Sequence, residues 1–182
     1  MIGGMIMELK IKDPGSALTH FIAMLAAMAA AAPLLVKAAS VPGTMHLKAL
    51  SVFIVSMILL YAASTVYHTF DISEHVNKLL RKIDHMMISV LIAGSYTPIC
   101  LLVLERRTGL IMLALVWGIA ITGIIIKGFW VFCPKWVSSV LYISMGWICV
   151  LAFSQILNNL TRAEFGWLLA GGIIYTIGGV IY

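Results

Sequence analysis

Charged positions are spaced so widely along this chain that they leave six long apolar runs: Pro14 to Val36, Ala49 to Phe70, His85 to Leu104, Thr108 to Ile126, Trp136 to Thr161 and Phe165 to Tyr182. Each run reaches or approaches the roughly 18 to 20 residues that carry a helix across a bilayer core of about 30 Å. The pattern predicts spans at about Ser16–Val36, His46–His68, Asp84–Leu104, Thr108–Ile126, Trp136–Gln155 and Phe165–Tyr182. Between them lie punctuated connections: Ser40-Val41-Pro42-Gly43, Asp71 to Arg81, Glu105-Arg106-Arg107, Phe132-Cys133-Pro134 and Asn158 to Glu164. Helix is the form lipid permits, because open strands leave backbone groups unpaired there. No alternating ten-residue barrel pattern is present. A soluble helical protein would show polar outer faces, and these runs lack them. The expected fold is all-α: a polytopic membrane helix bundle of six transmembrane helices, forming one integral membrane domain over 1–182. Neither an internal repeat nor a low-complexity linker divides it.

Composition agrees and adds an orientation. Hydrophobic residues make up 62% and charged residues 10%, against roughly a quarter charged in soluble domains. Of the basic residues, Lys10, Lys12, Lys78, Arg81, Lys82, Lys127 and Lys135 fall on one side of the predicted membrane, and Lys37, Lys48, Arg106, Arg107 and Arg162 on the other. The bias places the N-terminus in the cytoplasm. The net charge of +5 is therefore a topology signal. Basic residues split between two membrane surfaces do not make a nucleic-acid face, so membrane lipids are the expected partners. Oligomeric state is not encoded in any visible pattern. Cys100, Cys133 and Cys149 form no CxxC pair and read as packing residues. The first run is long enough to span, unlike a cleavable signal peptide. The sequence stops inside an apolar run, at Gly178-Gly179-Val180-Ile181-Tyr182, which leads us to expect truncation ahead of a further span.

Ionisable groups inside spans are costly, so each is a functional candidate. His20 lies near the start of the first span, His68 at the end of the second, and Asp84 and His85 at the start of the third. An alternating bundle brings all four to one face, the cytoplasmic one. Ser64 stands four residues before His68 and shares its helix face, so its hydroxyl could orient the ring or a water. Thr65, Tyr67 and Ser89 add polar groups nearby. A carboxylate such as Asp84 can pair with a cation, bond a metal's water or act as general acid/base. Plainer readings exist: an interfacial histidine, a helix N-terminal charge at Asp84 and a small packing residue at Ser64.

The segment Lys78 to Pro98, KLLRKIDHMMISVLIAGSYTP, resembles the signature of the hemolysin III family, the bacterial branch of the progestin and adipoQ receptor superfamily that includes the adiponectin receptors. Ser64-Thr65-Val66-Tyr67-His68 is similar to that family's SxxxH motif, and Asp13 to His20, DPGSALTH, to the lead-in of its first helix. The resemblance implies seven spans in a bacterial plasma membrane, an internal N-terminus and a zinc ion near the cytoplasmic face. By motif it makes His68 a zinc ligand and Asp84 the carboxylate that holds or activates the zinc's water, with Ser64 in support. A catalytic zinc usually has three protein ligands and an open position. The other two implied ligands form an HxxxH pair on a seventh span, and no histidine follows His85 here. His20 and His85 are the candidate substitutes.

Four functions compete at this point. One is a zinc-dependent, ceramidase-like hydrolase of a lipid amide or ester. Another is a non-enzymatic membrane-homeostasis or receptor-like protein with zinc as a clip. A pore-forming cytolysin is less well supported, since no span carries a regular polar stripe. Haem held by histidines of neighbouring helices is the fourth.

Overall fold

The computed structural model describes residues 11–130 and 134–181. Among these residues seven α-helices follow one another: α1 (Pro14–Ala39), α2 (Met45–Thr69), α3 (Glu74–Pro98), α4 (Arg106–Phe129), α5 (Lys135–Trp147), α6 (Phe153–Asn159) and α7 (Arg162–Ile181). A π-helical turn, Ile99–Val103, prolongs α3, and a 3-10 turn, Ile148–Ala152, joins α5 to α6 into one rod. Six helical segments among the described residues are therefore long and apolar enough to cross a membrane. The all-α, six-span expectation holds. Large apolar side chains such as Leu18, Ile22, Val36, Leu110, Ile111 and Ile125 point outward, as they should where the surrounding solvent is hydrocarbon.

One boundary differs in a way that matters. The stretch Asp71 to Arg81, expected as a loop, is helical from Glu74 onward. Ser73 caps that helix, its hydroxyl accepting from the Val76 amide at 3.3 Å, and Glu74 adds an acidic first turn. Clustered Lys78, Arg81 and Lys82 mark this part of α3 as outside the apolar layer, and helices tolerate such charges well. Asp84 consequently lies nearly three turns into α3, and the reading of it as a helix N-terminal charge is set aside. The expected loop residues Phe132 and Cys133 lie outside the described residues, as do Met1 to Lys10 and Tyr182.

Packing is uneven. A core of Ile92, Ala93, Tyr96, Cys100, Met112, Val116, Ala120, Tyr142 and Met145 joins α3, α4 and α5. Gly94 lets α2 and α3 approach closely, since a Cβ there would stand 2.1 Å from the Ser56 Oγ. Tyr96 donates to the Gly146 carbonyl at 2.6 Å and accepts from the Cys149 amide at 2.9 Å, tying α3 to the start of the 3-10 turn. By contrast, none of the described residues of α7 is buried. Its Tyr175 donates to the Tyr142 carbonyl at 2.5 Å, and its ring fills the space beside Gly146.

Candidate functional site

The start of α1, the end of α2 and the middle of α3 bring His20, Ser64, His68 and Asp84 together on one side of the bundle. Asp84 and Ser64 are buried, at 7% and 4% exposure. The Ser64 hydroxyl, His68 and His85 all interact with the Asp84 carboxylate. His20 feels the Asp84 charge as well. The spacing of Ser64 and His68 thus does what a shared helix face allows: two adjacent turns of α2 address one carboxylate of α3.

The two imidazoles of α1 and α2 form a stack. His20 and His68 have ring centroids 5.6 Å apart with planes 15° from parallel. Tyr67 meets His68 edge-on at 4.8 Å, and Tyr61 lies 6.0 Å from His20. His68 Nδ1 is 3.0 Å from Asp13 Oδ2, a bond that spans the whole α1–α2 hairpin. Thr65, an expected helper, turns its hydroxyl back on its own helix, donating to the Tyr61 carbonyl at 2.7 Å.

His85 is beside Asp84 but differently engaged. Its Nδ1 stands 2.8 Å from the Arg81 carbonyl and 3.4 Å from Asp84 Oδ2. A carbonyl can only accept, so Nδ1 carries the proton and is unavailable as a ligand nitrogen. The carbonyl of His85 faces the other way and accepts from the Tyr142 hydroxyl at 3.0 Å.

That other side of α3 holds a second polar cluster, which the sequence pattern did not single out. Lys127 of α4 is 2% exposed and donates to the Ser138 hydroxyl of α5. Lys82 reaches across to the Gly128 carbonyl at 2.5 Å. Ser89, expected among the site's helpers, sits here instead: its Oγ abuts Gly123, one turn before Lys127, and has no hydrogen-bond partner among the described residues. A lone lysine at a span end reads as an interfacial anchor, and only packing shows it buried.

The donor set can be compared with the zinc that the motifs imply. Imidazole and carboxylate are suitable ligand types, and His68 and Asp84 supply them. Their number is short. Among the described residues no group of three or more His, Cys, Asp or Glu is arranged to hold a metal ion. His68 and Asp84 with their neighbours therefore do not complete a three-ligand site by themselves.

Comparison with known proteins gives the chain its place. The family profile described as haemolysin-III related matches residues 9–182. The chain is similar to the protein named Hemolysin-3 of Bacillus cereus, 38% identical over 171 residues that make up 94% of this chain and 78% of that relative. It is also similar to a Hemolysin-3 homolog of Bacillus subtilis (strain 168), 36% identical over 171 residues, 94% of this chain and 80% of the relative. No solved structure matches it. With a helical bundle of six membrane-length segments and a profile match across nearly its whole length, the chain is an integral membrane protein that belongs to the haemolysin-III related family.

Proposed function

We propose that this polar pole lies at the cytoplasmic face and is the protein half of a zinc-dependent site that hydrolyses an amide or ester of a membrane lipid. The observation that carries this reading is the buried Asp84 carboxylate, addressed by Ser64 and His68 within a bundle of apolar helices. Zinc with an open coordination position supplies Lewis acidity toward water and a carbonyl oxygen. Of this chain's own residues, His68 would hold the metal through one ring nitrogen. Asp84 would take a proton from the attacking water and pass it to the leaving amine or alcohol. Ser64 would fix the carboxylate so that one oxygen stays directed at the reacting atoms. The remaining ligands would be donors other than those brought together here. Burial among apolar helices keeps bulk water from competing for these groups.

The full chain in lipid nanodiscs tests this. We expect about one zinc per chain and hydrolysis of a ceramide or related lipid. His68→Ala should lose the metal. Asp84→Asn should keep it and lose turnover by about 10²- to 10⁴-fold. Zinc unchanged in His68→Ala, or turnover surviving in Asp84→Asn, would overturn the assignment.

The tie between His68 and Asp13 also fits a second reading, in which the site is a structural clip in a membrane-homeostasis or receptor-like protein. Zinc bound without turnover, with cellular function retained in Asp84→Asn, would favour that reading.

A further inference from the structure

An aspartate immediately before a helix normally spends its side chain on that helix, accepting from an amide of the first turn. Asp13 precedes Pro14 at the start of α1 and makes no such cap. Its carboxylate goes instead to the other strand of the hairpin, 3.0 Å from His68 Nδ1. The backbone around it is pinned to match. The Asp13 amide donates to the His68 carbonyl at 2.9 Å, and the Lys12 amide to the Thr69 carbonyl at 3.3 Å. These are last-turn carbonyls of α2, which lack helical donors of their own. The Lys12 ammonium sits 3.7 Å above the Tyr67 ring. Residues 12 and 13 thus form a strap laid along the end of α2, with Pro14 fixing the backbone where the strap turns into α1.

We propose that Asp13 is a positioning residue for His68. Its carboxylate holds the proton of the neutral ring on Nδ1, so the lone pair resides on Nε2, and the strap with the His20 stack and the Tyr67 edge fixes the ring's orientation. Histidines that serve as ligands or bases are commonly set in one tautomer by an acceptor on the other nitrogen. Here that acceptor comes from outside the helix that carries the histidine. The proposal rests on the reading of His68 as a working residue of the site, and it names the nitrogen that does the work: Nε2.

The test reads the tautomer directly. Full-length protein carrying ¹⁵N-histidine, in nanodiscs and above the histidine titration range, gives ring-nitrogen correlations that distinguish Nδ1–H from Nε2–H. The His68 signals are assigned by their loss in His68→Gln. We expect the Nδ1–H pattern in the wild type and its loss in Asp13→Ala. Asp13→Asn should restore it, because the amide oxygen still accepts. Zinc affinity or turnover should fall about 10- to 100-fold in Asp13→Ala and recover in Asp13→Asn, as for other carboxylate-supported ligand histidines. An Nε2–H ring in the wild type, or a pattern unmoved by Asp13→Ala, overturns the proposal. The underlying reading fails separately: no turnover with the tautomer shift intact sinks the hydrolase and leaves the role of Asp13 standing.

Discussion

Helix α3 separates two polar clusters that differ in how deeply they are sealed, and the difference separates groups a ligand can reach from groups it cannot. Toward α1 and α2 it presents Asp84, which meets Ser64, His68 and His20; toward α4 and α5 it presents Ser89 and the His85 carbonyl, which meet Gly123 and Tyr142. On the first side the histidines are half-buried, and aromatic rings hold their planes. Lys127 and Ser138 on the second side are each 2% exposed, sealed between helices. A ligand or water can reach a half-exposed imidazole. An ammonium locked onto a hydroxyl inside a helix junction is placed to hold helices together. On the proposed function the α1–α2 side is the working site, and the α4–α5 side is a joint.

Truncating the joint should have the largest effect on stability. Lys127→Ala removes a buried stem and leaves Ser138 without this partner, and is expected to cost about 2–5 kcal/mol, by analogy with large-to-small substitutions in packed interiors. Lys127→Met keeps the stem volume and should recover most of that loss. Thermal unfolding in detergent measures both. Zinc content and turnover should survive in the Met variant; their loss with stability intact would move Lys127 from the joint into the site and dissolve the contrast. Tyr142→Phe is a smaller cut on the same side. It deletes the bond to the His85 carbonyl and should cost about 1 kcal/mol, again without affecting zinc. A tenfold loss of metal affinity in Tyr142→Phe would mean that the two sides of α3 are coupled through His85.

How much of this the sequence discloses depends on the range of the interaction. The spans were legible because a charge in hydrocarbon is costly, and so the charged positions marked where helices leave the membrane. Ser64 and His68 were legible as a pair because four residues bring them to one helix face. The start of α3 is hidden in the sequence because Lys78, Arg81 and Lys82 report polarity, and polarity does not distinguish a loop from a helix standing outside the membrane. The Ser73 cap and the acidic Glu74 were the available signals. Asp13 stood in a recognised segment, but its partner lies 55 residues away, and no local spacing encodes a bond across a hairpin. Lys127 was counted as a topology charge, since burial at a span end depends on which neighbours arrive. The gathering of His20, Ser64, His68 and Asp84 at one pole is thus legible in the chain's own residues, while the strap and the joint require the packed helices.

The smallest expected effect lies at the far pole, where polar residues cap helices and tie loops. Thr161 and Glu164 form a reciprocal capping box at the start of α7. The Thr161 amide and hydroxyl both donate to Glu164 Oε2, at 2.8 and 2.7 Å, and the Glu164 amide donates to Thr161 Oγ1 at 3.3 Å. Since none of the described residues of α7 is buried, this box and the Tyr175 contact carry much of what orders the helix. Thr161→Ala should therefore speed hydrogen exchange at the Glu164 amide several-fold, about what one N-cap is worth. It should leave His68, its tautomer and its metal affinity unchanged. α7 is tied through the Tyr175 hydroxyl to the Tyr142 carbonyl, and the Tyr142 hydroxyl in turn donates to the His85 carbonyl. If the tautomer or affinity of His68 responded to Thr161→Ala, that chain of contacts would be transmitting α7 motion across α3, and the joint would also be a coupling element.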